Sequence, residues 1–156
     1  MKRFHVHLKV ENLNTNIQFY SALFGASPTV EEADYAKWML EDPKINFAIS
    51  LRAENELKGI SHIGVEFDSE IELKEIIGMR ARDLPAPTIE EADANCCYAN
   101  SYKQWLLDPQ NVVWEFFHSE GRIKEYGTDK IKHDIKSAAT ENFATQQNGC
   151  CFRKTM

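Results

Sequence analysis

From residue 3 to residue 10 apolar and polar positions alternate, with Phe4, Val6, Leu8 and Val10 on one face and His5, His7 and Lys9 on the other, which is the two-residue period of a strand. After Asn14, read as an N-cap, Ile17, Tyr20, Leu23 and Phe24 recur at helical spacing, and Gly25 stands where a left-handed C-cap belongs. The spacing predicts a helix of about three turns. Two short strands follow, around Tyr35 to Leu40 and Ile45 to Leu51, split by the turn Glu41-Asp42-Pro43, with an extra strand near Thr29.

The pattern then starts again. Ser61 to Phe67 reads as a strand carrying His62, Ser69-Glu70-Ile71-Glu72 is a capping-box signature, and Leu73, Ile76 and Ile77 give the next helix its apolar face until Pro85 and Pro87 end it. Asn95 to Trp105 and Val112 to Phe117 supply closing strands around the turn Asp108-Pro109-Gln110. The run Trp38-Met39-Leu40-Glu41-Asp42-Pro43 is echoed by Trp105-Leu106-Leu107-Asp108-Pro109, so one supersecondary unit has been used twice. The expected class is α+β: two tandem βαβββ modules, about 3–55 and 56–118, forming a curved mixed sheet around a metal-binding cleft. Residues 119–156 are more polar, with Ile131, Ile135 and Phe143 widely spaced, and read as a weakly helical, mobile tail.

At 156 residues the chain suits one compact unit, and 43% hydrophobic with 27% charged residues is a globular composition. A net charge of -6 argues against nucleic acid, which needs clustered Lys and Arg, and points to a small-molecule partner. No run of about 18 apolar residues exists, and Met1-Lys2-Arg3-Phe4-His5 leads straight into a strand pattern, so no membrane segment is expected and the location is expected to be cytoplasmic. Four cysteines fall in two adjacent pairs, Cys96-Cys97 and Cys150-Cys151. In a reducing compartment these read as thiols kept for chemistry or soft ions rather than as a disulfide framework.

Pairing two copies of such a unit lets inward residues of the first strand of each meet in a cleft, and His5 and His62 occupy those strands. Glu115, the only acid inside Val112-Val113-Trp114-Glu115-Phe116, would complete a third inward group. An ionised carboxylate in apolar surroundings needs a partner, and a metal ion is the simplest. Two imidazoles and a carboxylate on one face of an ion are the ligand set of non-haem Fe(II) oxygenases, and the same set holds Zn, Ni, Mn or Co. His7 shares the face of His5 and competes with it as a ligand.

The runs Phe4-His5-Val6-His7-Leu8-Lys9-Val10 and Phe19-Tyr20-Ser21-Ala22-Leu23-Phe24-Gly25 resemble the start of glyoxalase, bleomycin-resistance and extradiol dioxygenase proteins of the vicinal oxygen chelate superfamily. More closely, Asp34 to Leu40, Asn46 to Ser50, Ser61-His62-Ile63-Gly64, Cys96-Cys97-Tyr98-Ala99, and Trp114-Glu115 resemble the ArsI/CadI group of C–As lyases and cadmium-induced proteins, over about residues 3–118. The resemblance implies Fe(II) held by His5, His62 and Glu115, with Ni, Co or Zn able to replace it in a purified sample. It also implies trivalent arsenic bound by Cys96 and Cys97, and O₂-dependent cleavage of methylarsonous acid or trivalent aromatic arsenicals to arsenite. His7, Tyr98, Trp105, Cys150 and Cys151 are accessory candidates, and Tyr20, Trp38 and Tyr102 are further aromatic residues expected either along the cleft or in the core. Since neighbours on a regular strand face opposite ways, joint binding by the two thiols requires a loop or bulge, and Asn95 to Tyr98 is expected to be irregular or mobile. The position mirroring Glu115 in the first module is read as Ile49, leaving no fourth, glyoxalase-type acidic ligand. The rival readings are a metal-sequestering protein without turnover and a glyoxalase-like metalloenzyme; either a monomer or a homodimer fits.

Overall fold

The computed structural model describes residues 2–54, 57–80, 82–83 and 88–124, of which 93 and 96 by backbone alone. The first module is β1 (Arg3–Val10), α1 (Leu13–Phe24), β2 (Val30–Glu31), β3 (Tyr35–Glu41) and β4 (Lys44–Leu51). The second repeats it as β5 (Gly59–Glu66), α2 (Glu70–Arg80), β6 (Ile89–Cys96), β7 (Ala99–Leu107) and β8 (Val113–Arg122). The expected βαβββ duplication is therefore present. All eight strands form one sheet in the order β2-β3-β4-β1-β5-β8-β7-β6, whose two halves mirror each other about the β1/β5 seam. Within each module the first and last strands pair in parallel, while β1 and β5 pair antiparallel. The sheet is mixed for that reason.

Both helices start where a side-chain oxygen satisfies an orphan amide. Helix α1 is capped by Asn12, whose Oδ1 accepts from the Thr15 amide at 2.9 Å, two residues before the expected Asn14. The earlier start brings Leu13 into the core, and Gly25 closes the helix at φ 64° as predicted. Leu13, Ile17, Tyr20 and Phe24 pack on Trp38, Phe47 and Ile49, whereas Leu23, expected on that face, is exposed. In the second module the Glu72 amide donates to Ser69 Oγ, and Leu73 with Phe67 and Tyr102 forms the matching core under α2. The helices thus cover one face of the sheet and leave the other to a cleft.

The sequence reading needed correction around β6. Its residues are too polar to show a strand pattern, and the run read as one strand from Asn95 to Trp105 is a hairpin broken at Cys97-Tyr98. Strand β8 continues past residue 118 to Arg122, paired with β7 throughout. The tail from residue 125, including Cys150 and Cys151, lies outside the described residues, as do Pro85 and Pro87. Among the described residues no helix is long and apolar enough to cross a membrane.

Candidate metal centre

One register row crosses the middle of the sheet: Asn46 on β4 opposes His5 on β1, His5 opposes Gly64 on β5, Gly64 opposes Glu115 on β8, and Glu115 opposes Trp105 on β7. Glycine at the centre of that row is required by a close approach. A Cβ on Gly64 would stand 1.8 Å from the Glu115 carbonyl oxygen. With no side chain between them, His5 and Glu115 lean together over Gly64, and His62, two residues earlier on β5, joins them.

The three groups expected to converge do so. His5 Nε2 lies 3.1 Å from His62 Nε2 and 3.4 Å from Glu115 Oε2, and His62 Nε2 lies 3.2 Å from the same oxygen. Donor atoms bonded to a common ion at about 2.1 Å stand ~3.0 Å apart at right angles and ~3.4 Å apart in a tetrahedron, so this triangle fits one ion without movement. All three residues are buried.

The hydrogen bonds behind the triangle set its polarity. His5 Nδ1 lies 3.0 Å from the Asn46 carbonyl oxygen, which only accepts, so that nitrogen carries the proton and Nε2 presents a lone pair to the triangle. Burial pushes the His5 imidazole below its ordinary value, against the opposing pull of the Glu115 charge and the Asn46 carbonyl, and favours the neutral form a metal needs. For Glu115, burial acts to raise the carboxyl, but the charge of Lys103 and then the interactions with His62 and His5 outweigh it and hold it well below the carboxylate range. A lone pair and a carboxylate oxygen meeting in a dry pocket call for a cation, and the donor set fits a divalent metal.

Lys103 was missed by the sequence reading. Its Nζ, on β7 and buried, donates to Glu115 Oε1 at 2.7 Å and lies 5.1 Å from the centre of the Trp105 ring. The carboxylate, for which a metal ion is the simplest expected partner, therefore also has a lysine as one. The available signal was the lysine itself, interrupting an inward-facing series Ser101, Lys103, Trp105 on a strand whose other residues are largely buried.

His7 is brought to the same cleft. Its Nε2 pairs with Ser50 Oγ at 2.9 Å, and His5, His7 and His62 offer ligand atoms all within 4.8 Å of one another, a second and looser set able to hold a metal. The position expected to mirror Glu115 was placed on the wrong face. Ile49 is buried under α1, and the strand pairing that matches Gly64 with Glu115 matches His7 with Ala48. The side chain there is a methyl group, so the first module still offers no fourth acidic ligand.

The triangle opens into a narrow cleft whose walls include Tyr35, Lys37, Cys97 and Ser101. Cys97 and Tyr98 have φ of 55° and 61° between the paired residues Cys96 and Ala99, the positive-φ signature of a two-residue hairpin turn. This is the irregularity expected at the cysteine pair. Tyr98 ties this turn to the first module, donating to Asp34 Oδ1 at 2.6 Å, and its ring lies 5.9 Å from that of Tyr35, a cleft-lining residue. Trp105 packs edge-on against His62 at 5.4 Å. Tyr20, Trp38 and Tyr102 are core residues under the helices, not cleft residues.

Comparison with known proteins decides the kinship. No family model matches the chain. A trivalent organoarsenical cleaving enzyme from Bacillus sp. (strain MD1) is 38% identical over 128 residues, covering 82% of this chain and 80% of the relative. The chain belongs to the ArsI/CadI family of trivalent organoarsenical cleaving enzymes and cadmium-induced proteins. Its other branch is represented by the cadmium-induced protein CadI of Mycobacterium tuberculosis (strain ATCC 25618 / H37Rv), 31% identical over 136 residues, 86% of this chain and 87% of that one. The fold is that of the vicinal oxygen chelate superfamily. A homoprotocatechuate 2,3-dioxygenase from Brevibacterium fuscum aligns with TM-score 0.56 at 13% identity, over 84% of this chain and 35% of its own. A methylmalonyl-CoA epimerase from Streptomyces coelicolor aligns with TM-score 0.52 at 13% identity, over 78% and 96%. At such identities these two establish the fold of this ArsI/CadI chain, and the reaction has to be argued from its site.

Proposed function

We propose that this chain is an Fe(II)-dependent dioxygenase that cleaves the carbon–arsenic bond of trivalent organoarsenicals, methylarsonous acid or trivalent aromatic arsenicals, and releases arsenite. The observation that carries the reading is the triangle of His5 Nε2, His62 Nε2 and Glu115 Oε2, with sides of 3.1, 3.4 and 3.2 Å, in a cleft walled by Cys97. Similarity to a relative named for trivalent organoarsenical cleavage supports the substrate class.

Each residue has a role that follows from its chemistry. His5, oriented by the Asn46 carbonyl, His62 and Glu115 would hold the metal. Fe(II) in that set supplies the capacity to bind and activate O₂. Cys96 and Cys97 take trivalent arsenic, a soft thiophilic centre, by exchanging As–O bonds for As–S bonds. Holding the arsenical in the cleft replaces a bimolecular encounter with a positioned one. Tyr35 lines the cleft with the Tyr98 ring against it, and Trp105 packs behind His62.

The test is anaerobic loading of the purified chain with Fe(II), addition of methylarsonous acid, then air. Arsenite released in many equivalents per chain is the expected result. Stoichiometric capture of the arsenical with no arsenite would support the second reading, sequestration without turnover, which the similarity to the cadmium-induced relative favours. A glyoxalase-like reaction is disfavoured by Ala48, which puts a methyl group where a fourth acidic ligand would stand.

A further inference from the structure

Glu115 divides its two oxygens between different partners. Oε2 faces His5 and His62, while Oε1 accepts from Lys103 at 2.7 Å, and both side chains of that ion pair are about 95% buried or more. A carboxylate binds metals through one oxygen or through both, and the two modes use different numbers of coordination positions. A buried ammonium fixed on one oxygen removes it from that competition.

We propose that Lys103 is a positioning residue that restricts Glu115 to binding the metal through Oε2 alone. The inference rests on the reading of His5, His62 and Glu115 as the ligand set. One-oxygen binding by Glu115 with two imidazoles uses one face of a six-coordinate ion and keeps the opposite face for exogenous ligands, whereas a chelating Glu115 would take one of those positions. Lys103 is itself held in place. It sits diagonal to Glu115 across the β7/β8 ladder, where Trp105 is the directly opposed residue, and its Nζ rests over the Trp105 ring. The Trp105 ring is anchored in turn by its Nε1–H donating to Glu91 Oε2 at 2.9 Å. The chain Glu91, Trp105, Lys103, Glu115 thus runs from the sheet edge at β6 to the metal triangle, and within it Lys103 touches the ligand set through Glu115.

The experiment uses Co(II) as the probe and X-ray absorption as the readout, because the carbon of a chelating carboxylate lies closer to the ion than that of a one-oxygen carboxylate and gives its own scattering path. In the wild-type chain the expected spectrum contains two imidazoles and no chelating-carboxylate path. In Lys103→Met that path appears, and in Lys103→Arg, which keeps a charged donor, it is absent again. Thermal melts of the metal-free variants check folding. A chelating path in the wild type overturns the inference outright, even if the Met variant does not fold, and identical wild-type and Met spectra overturn it as well. Absence of imidazole scattering from the wild type would overturn the ligand reading on which it rests, whereas imidazole scattering with a chelating carboxylate would overturn this inference alone.

Discussion

His5 and His62 are common to both sets of groups able to hold a metal, so Glu115 and His7 are the residues that tell the sets apart. Loss of an outer residue that merely orients a ligand costs about 10- to 100-fold in metal affinity. Glu115→Ala is therefore expected to weaken Co(II) binding by more than ~100-fold in calorimetry and His7→Ala by less than ~10-fold; the reverse order would assign the site to the three histidines. Cys97 carries a second residue-level prediction. Its φ of 55° is a conformation that costs a non-glycine residue about 1 kcal/mol, so Cys97→Gly should gain up to that in urea denaturation. The same variant is expected to lose capture of phenylarsenous acid while keeping Co(II) affinity, the combination that distinguishes a functional thiol from a structural one.

Strands β5 and β8 form the parallel seam of the second module, and their spacing depends on Gly64. A methyl group there would overlap the Glu115 backbone, including its carbonyl carbon at 2.7 Å, and backbone cannot rotate away as a side chain can. Gly64→Ala is expected to destabilise the chain by about 3 kcal/mol or more and to cost metal binding as well, because the displaced strand carries a ligand. A denaturation midpoint equal to wild type would show that the two strands are not packed this closely. The control is Gly78→Ala on α2, where an added methyl meets nothing within 4 Å and improved helix propensity should raise stability by up to ~1 kcal/mol.

At the scale of the molecule, the two modules meet along the β1/β5 seam and are also tied where Tyr98 reaches Asp34 and Arg122 pairs with Glu32. The hydrogen bond to Asp34, then burial, raises the Tyr98 phenol to about 12. A folded value above the unfolded one, near 10, means that the contact contributes fully below pH 10 and is lost as pH rises through about 12. Tyrosinate absorbance should accordingly show a late-titrating group that moves back toward 10 in Asp34→Asn. An unchanged titration in that variant would show that the contact between Tyr98 and Asp34 is not made. Tyr102, raised chiefly by its burial, should stay where it is and serves as the internal reference.

The duplicated βαβββ order, the two helices and the three converging groups were legible in the sequence because each rests on a local period or on equivalent places in a repeat: His5 and His62 on first strands, Glu115 on a last strand. Alternation implies a break at Cys96-Cys97 if both are to bind one atom, and the chain turns just after Cys96, which ends β6 in register. What pattern alone does not settle is which face a residue in a doubly buried strand takes: counting from the Asp-Pro turn makes Ile49 the mirror of Glu115, whereas the strand pairing gives that position to Ala48 and Ile49 packs under α1. Nor could it pair charges across strands. Lys103 and Glu115 are 12 residues apart, and only the β7/β8 register brings a buried ammonium onto one oxygen of a buried carboxylate. Strand identity is written in short-range periodicity, but register and facing follow from how eight strands share one curved sheet, and it is register that assembled this site.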